Sequence, residues 1–86
     1  MVVEGGAAVT VYGQPGCVQC AATYRALDQV GVAFERVDVS VDEIARQYVQ
    51  ALGHQQAPVV VTAAGEHWAG YRPDRLRDLA ELGSVL

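Results

Sequence analysis

A β-rich run, Val9-Thr10-Val11-Tyr12, breaks at Gly13-Gln14-Pro15-Gly16, and the only two cysteines of the chain follow at once as Cys17-Val18-Gln19-Cys20. A helical pattern begins at that point. Two thiols three positions apart share one helical turn and can close a short disulfide and reopen it. The junction also anchors the reading of the remaining elements. A strand is expected from Ala8 to Tyr12 and a helix from about Cys17 to Val30, with Cys20, Tyr24, Leu27 and Val30 facing inward and Gly31 ending it. Ala33 to Val39 reads as a second strand, alternating through Phe34, Val37 and Val39. Ser40 with Glu43 forms a capping box for a second helix, which buries Ile44, Tyr48 and Leu52 and stops at Gly53. Val59–Thr62 and the strand starting at His67 are close enough for a hairpin. Pro73 opens a third helix that turns Leu76, Leu79, Ala80 and Leu82 inward and ends at Gly83.

The order is β-α-β, then α, then a β-β hairpin, then α. Two parallel strands with a right-handed crossover are extended by antiparallel strands into a four-stranded mixed sheet with three helices. A pair of cysteines in this spacing beside a βαβ unit points to an α/β, thioredoxin-like redox fold. The chain has 86 residues, so residues 1–86 are expected to form one domain with a modest core. Apolar residues make up 51%, which argues against disorder. The net charge is −4, all six basic residues are arginine and no basic run or face is visible, so nucleic acid is not an expected partner. No apolar stretch approaches a membrane span. Met1 to Gly6 lacks the marks of a signal peptide and reads as a loose leader. The expected compartment is a reducing cytoplasm, where a stable structural disulfide is unusual.

The position of the cysteines suggests their roles. Cys17 falls where helix N–H groups are unpaired and the helix dipole is positive, so its thiolate should be favoured below the free-cysteine value of about 8.5. Cys20 lies one turn further in and should be more buried. Cys17 is therefore expected to attack a target disulfide and Cys20 to resolve the mixed disulfide. Pro15 helps set where the helix begins. A stapling disulfide is the weaker reading, because so short a loop constrains the unfolded chain little. A zinc site completed by His54 and His67 is also weak: twelve residues separate the histidines and no second cysteine pair exists. Both histidines read as surface or loop residues.

Two further segments carry a family resemblance. Gln55-Gln56-Ala57-Pro58-Val59-Val60-Val61 places a proline at the mouth of the third strand, and Trp68-Ala69-Gly70-Tyr71-Arg72-Pro73-Asp74 follows the fourth. With Cys17-Val18-Gln19-Cys20, these resemble the NrdH-redoxins of the glutaredoxin branch, over about Ala7 to Leu82. That family's second run is Trp-Ser-Gly-Phe-Arg-Pro-Asp; Ala69 and Tyr71 depart from it. The resemblance implies a cis bond at Pro58 and a domain that binds no cofactor. It also implies electron donation to class Ib ribonucleotide reductase, with re-reduction by thioredoxin reductase and NADPH. Partner contacts are expected at Gln14, Pro15, Val18 and Gln19, at Ala57 and Pro58, and at Trp68, Gly70, Tyr71, Arg72 and Asp74. Trp68 reads equally as core or as docking residue, whereas Arg75 and Arg77 read as a solvated helix face. Ordinary glutaredoxins carry a basic residue before the cysteine pair and two glycines after the fourth strand. Gln14 and Tyr71 stand there instead, so glutathione should bind poorly. A monomer is expected, working through brief encounters. The competing readings are a glutathione-dependent glutaredoxin and a non-catalytic binding module of the same fold; the retained Cys20 argues against the latter.

Overall fold

The computed structural model describes residues 9–84, with side chains through residue 79. The elements are β1 (Val9–Gly13), α1 (Val18–Val30), β2 (Phe34–Asp38), α2 (Glu43–Ala51), β3 (Val59–Thr62), β4 (His67–Ala69) and α3 (Pro73–Ser84). The order matches the expected one. Ala8 and the leader lie outside the described residues, and Gly13 closes β1 rather than opening a loop.

The sheet order is β2-β1-β3-β4. β1 runs parallel to β2, with Val11 opposite Arg36, and antiparallel to β3, with Tyr12 opposite Val59. β4 pairs antiparallel with β3, placing Trp68 opposite Val60. Alternation along the strands sends Val9, Val11, Val60 and Trp68 to one face, where they pack with Leu27 of α1 and Leu76 of α3. Leu79 is partly buried against the same cluster. Tyr12 points to the opposite face and packs on Tyr48 of α2, ring centroids 5.5 Å apart. The central β1 and β3 thus bury both faces, and the active-site loop leaves from the C-terminal end of a rigid inner strand.

α1 follows the expected stripe with one addition. Cys20 and Leu27 are buried, and so is Thr23, whose hydroxyl donates to the Gln19 carbonyl at 2.9 Å. That bond satisfies the threonine without a partner outside the helix. Gly31 ends α1 in the left-handed region, φ 77°, and Val32 N–H bonds back to Leu27 O at 3.1 Å.

Three expectations are corrected. The cap of α2 is Asp42, whose carboxylate accepts from Ala45 N–H at 3.0 Å. Ser40 sits in the preceding turn and bonds Asp38 instead. Ala45 and Val49 are the buried residues of α2, while Ile44 is 80% and Tyr48 42% exposed. Leu52 is half-buried beyond the end of the helix. Gly83 lies inside α3, which continues to Ser84; a helical glycine is disfavoured by only about 1 kcal/mol, so it need not stop the helix. The Ala80 and Leu82 side chains are outside the described residues.

Candidate active site

The loop from Gln14 to Gly16 delivers Cys17 to the start of α1. Cys17 is the N-cap residue, with extended backbone, and its Sγ accepts a hydrogen bond from Cys20 N–H at 3.1 Å. Its carbonyl accepts the next helical bond, from Ala21 N–H. The two cysteines form a disulfide with Cα atoms 5.2 Å apart. Cys17 is half-buried, whereas Cys20 is 1% exposed. No acidic residue occupies the first turn of α1. An anionic sulfur at Cys17 would therefore meet free helix N–H groups and no local repulsion.

The Ala57–Pro58 bond is cis, as expected. Pro58 is fully buried, and its carbonyl accepts from Gly70 N–H at 2.8 Å. Gly70 adopts φ 87°, a conformation that favours glycine, and so turns the chain after β4. Gln19 reaches across to this turn, its Oε1 accepting from Tyr71 N–H at 3.3 Å. The spacer residue between the cysteines thus ties the helix start to the turn, and both flank the cis-proline. Gln14, Gln19, Gln56 and Ala57 line one groove of about 440 Å³ with Tyr12, Arg46 and His54. Burial, followed by the nearby Tyr48, raises the Tyr12 hydroxyl above its ordinary pKa. Val18 and Pro15 are exposed beside Cys17, and Tyr71 is 40% exposed.

Trp68 is 6% exposed within the core, so of its two readings the structure gives packing. Arg75, expected on a solvated face, lies with its guanidinium 4.4 Å from the Trp68 ring centroid. That contact joins α3 to β4, which local charge patterning does not reveal. Arg77 is exposed as expected. Arg72 grips Asp74 with two bonds, Nε to Oδ1 at 3.3 Å and Nη2 to Oδ2 at 3.1 Å. That pairing holds the Asp74 carboxyl below the usual aspartate range. His54 and His67 lie at the surface as expected, and their Nε2 and Nδ1 atoms are 2.8 Å apart. Among the described residues, no three His, Cys, Asp or Glu side chains gather as a metal site.

The glutaredoxin family model matches residues 9–68. The glutaredoxin-like protein NrdH of Salmonella typhimurium is 41% identical over 71 residues, covering 83% of this chain and 86% of its own. The chain belongs to the NrdH group of the glutaredoxin family. The Gene 56 protein of Mycobacterium phage L5 is 40% identical over 76 residues, covering 87% of this chain and 74% of its own. The NrdH-redoxin structure from Escherichia coli superposes with a TM-score of 0.78 at 38% identity, covering 83% of this chain and 92% of that one. It is described as a glutaredoxin-like protein with a thioredoxin-like activity profile. Buckwheat glutaredoxin, solved with glutathione, shares the fold at TM-score 0.70 but only 19% identity. Membership makes the protein a thiol–disulfide oxidoreductase with Cys17 and Cys20 as its cysteine pair. Among the described residues no helix is long and apolar enough to cross a membrane.

Three residues near the dithiol escaped sequence reasoning. Gly13 reads from sequence as loop punctuation and Tyr24 as packing, and nothing in the sequence singles out Arg36. Arg36 reaches the site only because parallel pairing sets β2 beside β1.

Proposed function

We propose that the protein carries electrons to class Ib ribonucleotide reductase and is re-reduced by thioredoxin reductase with NADPH. The observation that carries the two-thiol mechanism is the asymmetry of the pair. Cys17 caps the helix and is partly open to solvent, while Cys20 is buried behind it. Cys17 thiolate attacks a disulfide of the partner, and Cys20 then attacks Cys17 and frees the partner as a dithiol. Two electrons leave the protein, and its own disulfide remains. The work belongs in the cytoplasm, in deoxyribonucleotide synthesis. Partners meet Gln14, Pro15, Val18 and Gln19, the Ala57–Pro58 edge and the Gly70–Tyr71 turn.

Similarity to NrdH proteins supports this choice of partners. So does the glutathione-facing chemistry. Gln14 is neutral and cannot form an ion pair with a carboxylate. Asp74, which could otherwise hold an amine, is engaged by Arg72. The decisive assay supplies NADPH with thioredoxin reductase, or glutathione with its reductase, and follows reduction of a ribonucleotide reductase of class Ib. Turnover is expected with the first system; turnover with glutathione alone would sink the proposal.

A further inference from the structure

Beside the dithiol, on the β2 side, stands a group that the scheme above leaves unused. Tyr24 lies one turn beyond Cys20 on α1. Its ring stacks on Phe34, centroids 5.8 Å apart and planes within 5°. The Arg36 guanidinium lies 4.1 Å from the Tyr24 ring centroid. Two β2 side chains therefore pin the ring. Tyr24 and Arg36 also line the same hollow as Cys17 and Cys20.

Gly13 explains where the hydroxyl points. A Cβ on Gly13 would stand 2.5 Å from Tyr24 Oη and 3.0 Å from Cys20 Sγ. Gly13 is not among the residues with positive φ, so backbone freedom is not what calls for glycine. Space is: the hydroxyl and the sulfur converge on the volume a side chain would fill. Gly13 is itself buried.

Cys20 has a problem this arrangement answers. To resolve a mixed disulfide it must become a thiolate, and a buried thiolate is disfavoured without a hydrogen-bond donor. We propose that Tyr24 is the donor: once the Cys17–Cys20 bond is open, its hydroxyl bonds the Cys20 sulfur and supports the thiolate during resolution. Arg36 and Phe34 act as positioning residues through the ring, and Gly13 leaves the gap in which the two atoms meet. In this step the Cys20 thiol gives up its proton to solvent. Its sulfur bonds Cys17 Sγ, the bond between Cys17 and the target sulfur breaks, and the target sulfur leaves with the electron pair and takes up a proton. Tyr24 keeps its own proton throughout. The charged and titratable groups facing this space are Cys17 at the N-cap of α1, Cys20 and Tyr24 on α1, and Arg36 and Asp38 from β2, Asp38 being turned to Ser40.

The inference rests on Cys20 as the resolving thiol, and the test separates the two ideas. The reduced protein is mixed in a stopped flow with an aromatic disulfide whose released thiol is coloured. Attack by Cys17 releases the first coloured thiol, and resolution by Cys20 releases the second. Tyr24→Phe preserves the ring between Phe34 and Arg36 and removes only the hydroxyl. It should leave the first release unchanged and slow the second about tenfold, the scale of one hydrogen bond to a charged group. The pH profile of the second release should move upward. Gly13→Ala should also slow the second release, and that penalty should shrink in the Tyr24→Phe background, where the displaced atom is already gone. Equal slowing of both releases, or a second release unchanged in rate and pH profile, would overturn the role of Tyr24. A parent protein that releases only one coloured thiol would overturn the two-thiol mechanism and this inference with it.

Discussion

α1 and α2 begin in nearly the same way and serve opposite purposes. Cys17 sits at φ −89°, ψ 110° and Asp42 at φ −107°, ψ 98°. Each offers a side-chain acceptor to the amide three residues on, at 3.1 Å and 3.0 Å. In α2 the acceptor is a permanent carboxylate, and Glu43 adds negative charge to the first turn, where the helix dipole favours it. In α1 the acceptor is a sulfur and the first turn carries no acid. A neutral sulfur is a weak acceptor, so this cap is poor until it ionises. The same local geometry is thus a structural clamp at one helix and a charge-holding device at the other. The difference lies in the atom used and in the charge kept away from it.

Four changes test the contrast, from the largest effect to the smallest. Cys17→Ser should abolish disulfide reduction while leaving the stability of the reduced protein nearly unchanged, because serine is a good N-cap. Residual turnover would show that the cap atom is not the nucleophile. Cys20→Ser should stop after the first step and accumulate a mixed disulfide with the target protein on a non-reducing gel. Full turnover in that variant would break the two-thiol mechanism. Asp42→Ala should do the reverse of Cys17→Ser. Turnover should persist, and urea unfolding should report a loss of about 1 kcal/mol. A fall in turnover as large as the fall in stability would erase the distinction between the two caps. The smallest effect belongs to Asp74. Arg72 depresses its pKa, so the pair favours the folded state above the ordinary aspartate value, and that contribution fades as pH falls through the folded value. Asp74 is exposed, so solvent screening keeps the effect small. The gap in urea midpoint between the parent and Asp74→Asn should be present near pH 6 and vanish at strongly acidic pH. A gap that widened on acidification would contradict the sign.

Much of the fold was legible because its signals are local. Gly31, Gly53 and Gly65 mark turns by the conformations they adopt, and the unbroken β-branched run Val59–Thr62 marks a strand. The cysteine pair was legible because a strand leads into it and a helix leaves from it. The phase of α2 was not legible. Ile44 and Tyr48 make a larger apolar stripe than Ala45 and Val49, and hydrophobicity alone ranks the stripes by size rather than by fit to the sheet. Trp68 was ambiguous and Arg75 was read as solvated for the same reason, since their contact joins two elements. The His54–His67 bond also spans two elements and has no local signature.

The sequence by itself determined the order of elements, the reactive pair at the start of α1 and the proline set against it. These follow from backbone preferences and spacing within a few residues. Tertiary structure decided which side chains surround the pair. Gln19 meets Tyr71 across 52 residues of sequence, and Arg36 reaches Tyr24 through the parallel register of β2. Such contacts depend on strand register and helix phase, which are set when whole faces are buried together. No short stretch of chain contains them.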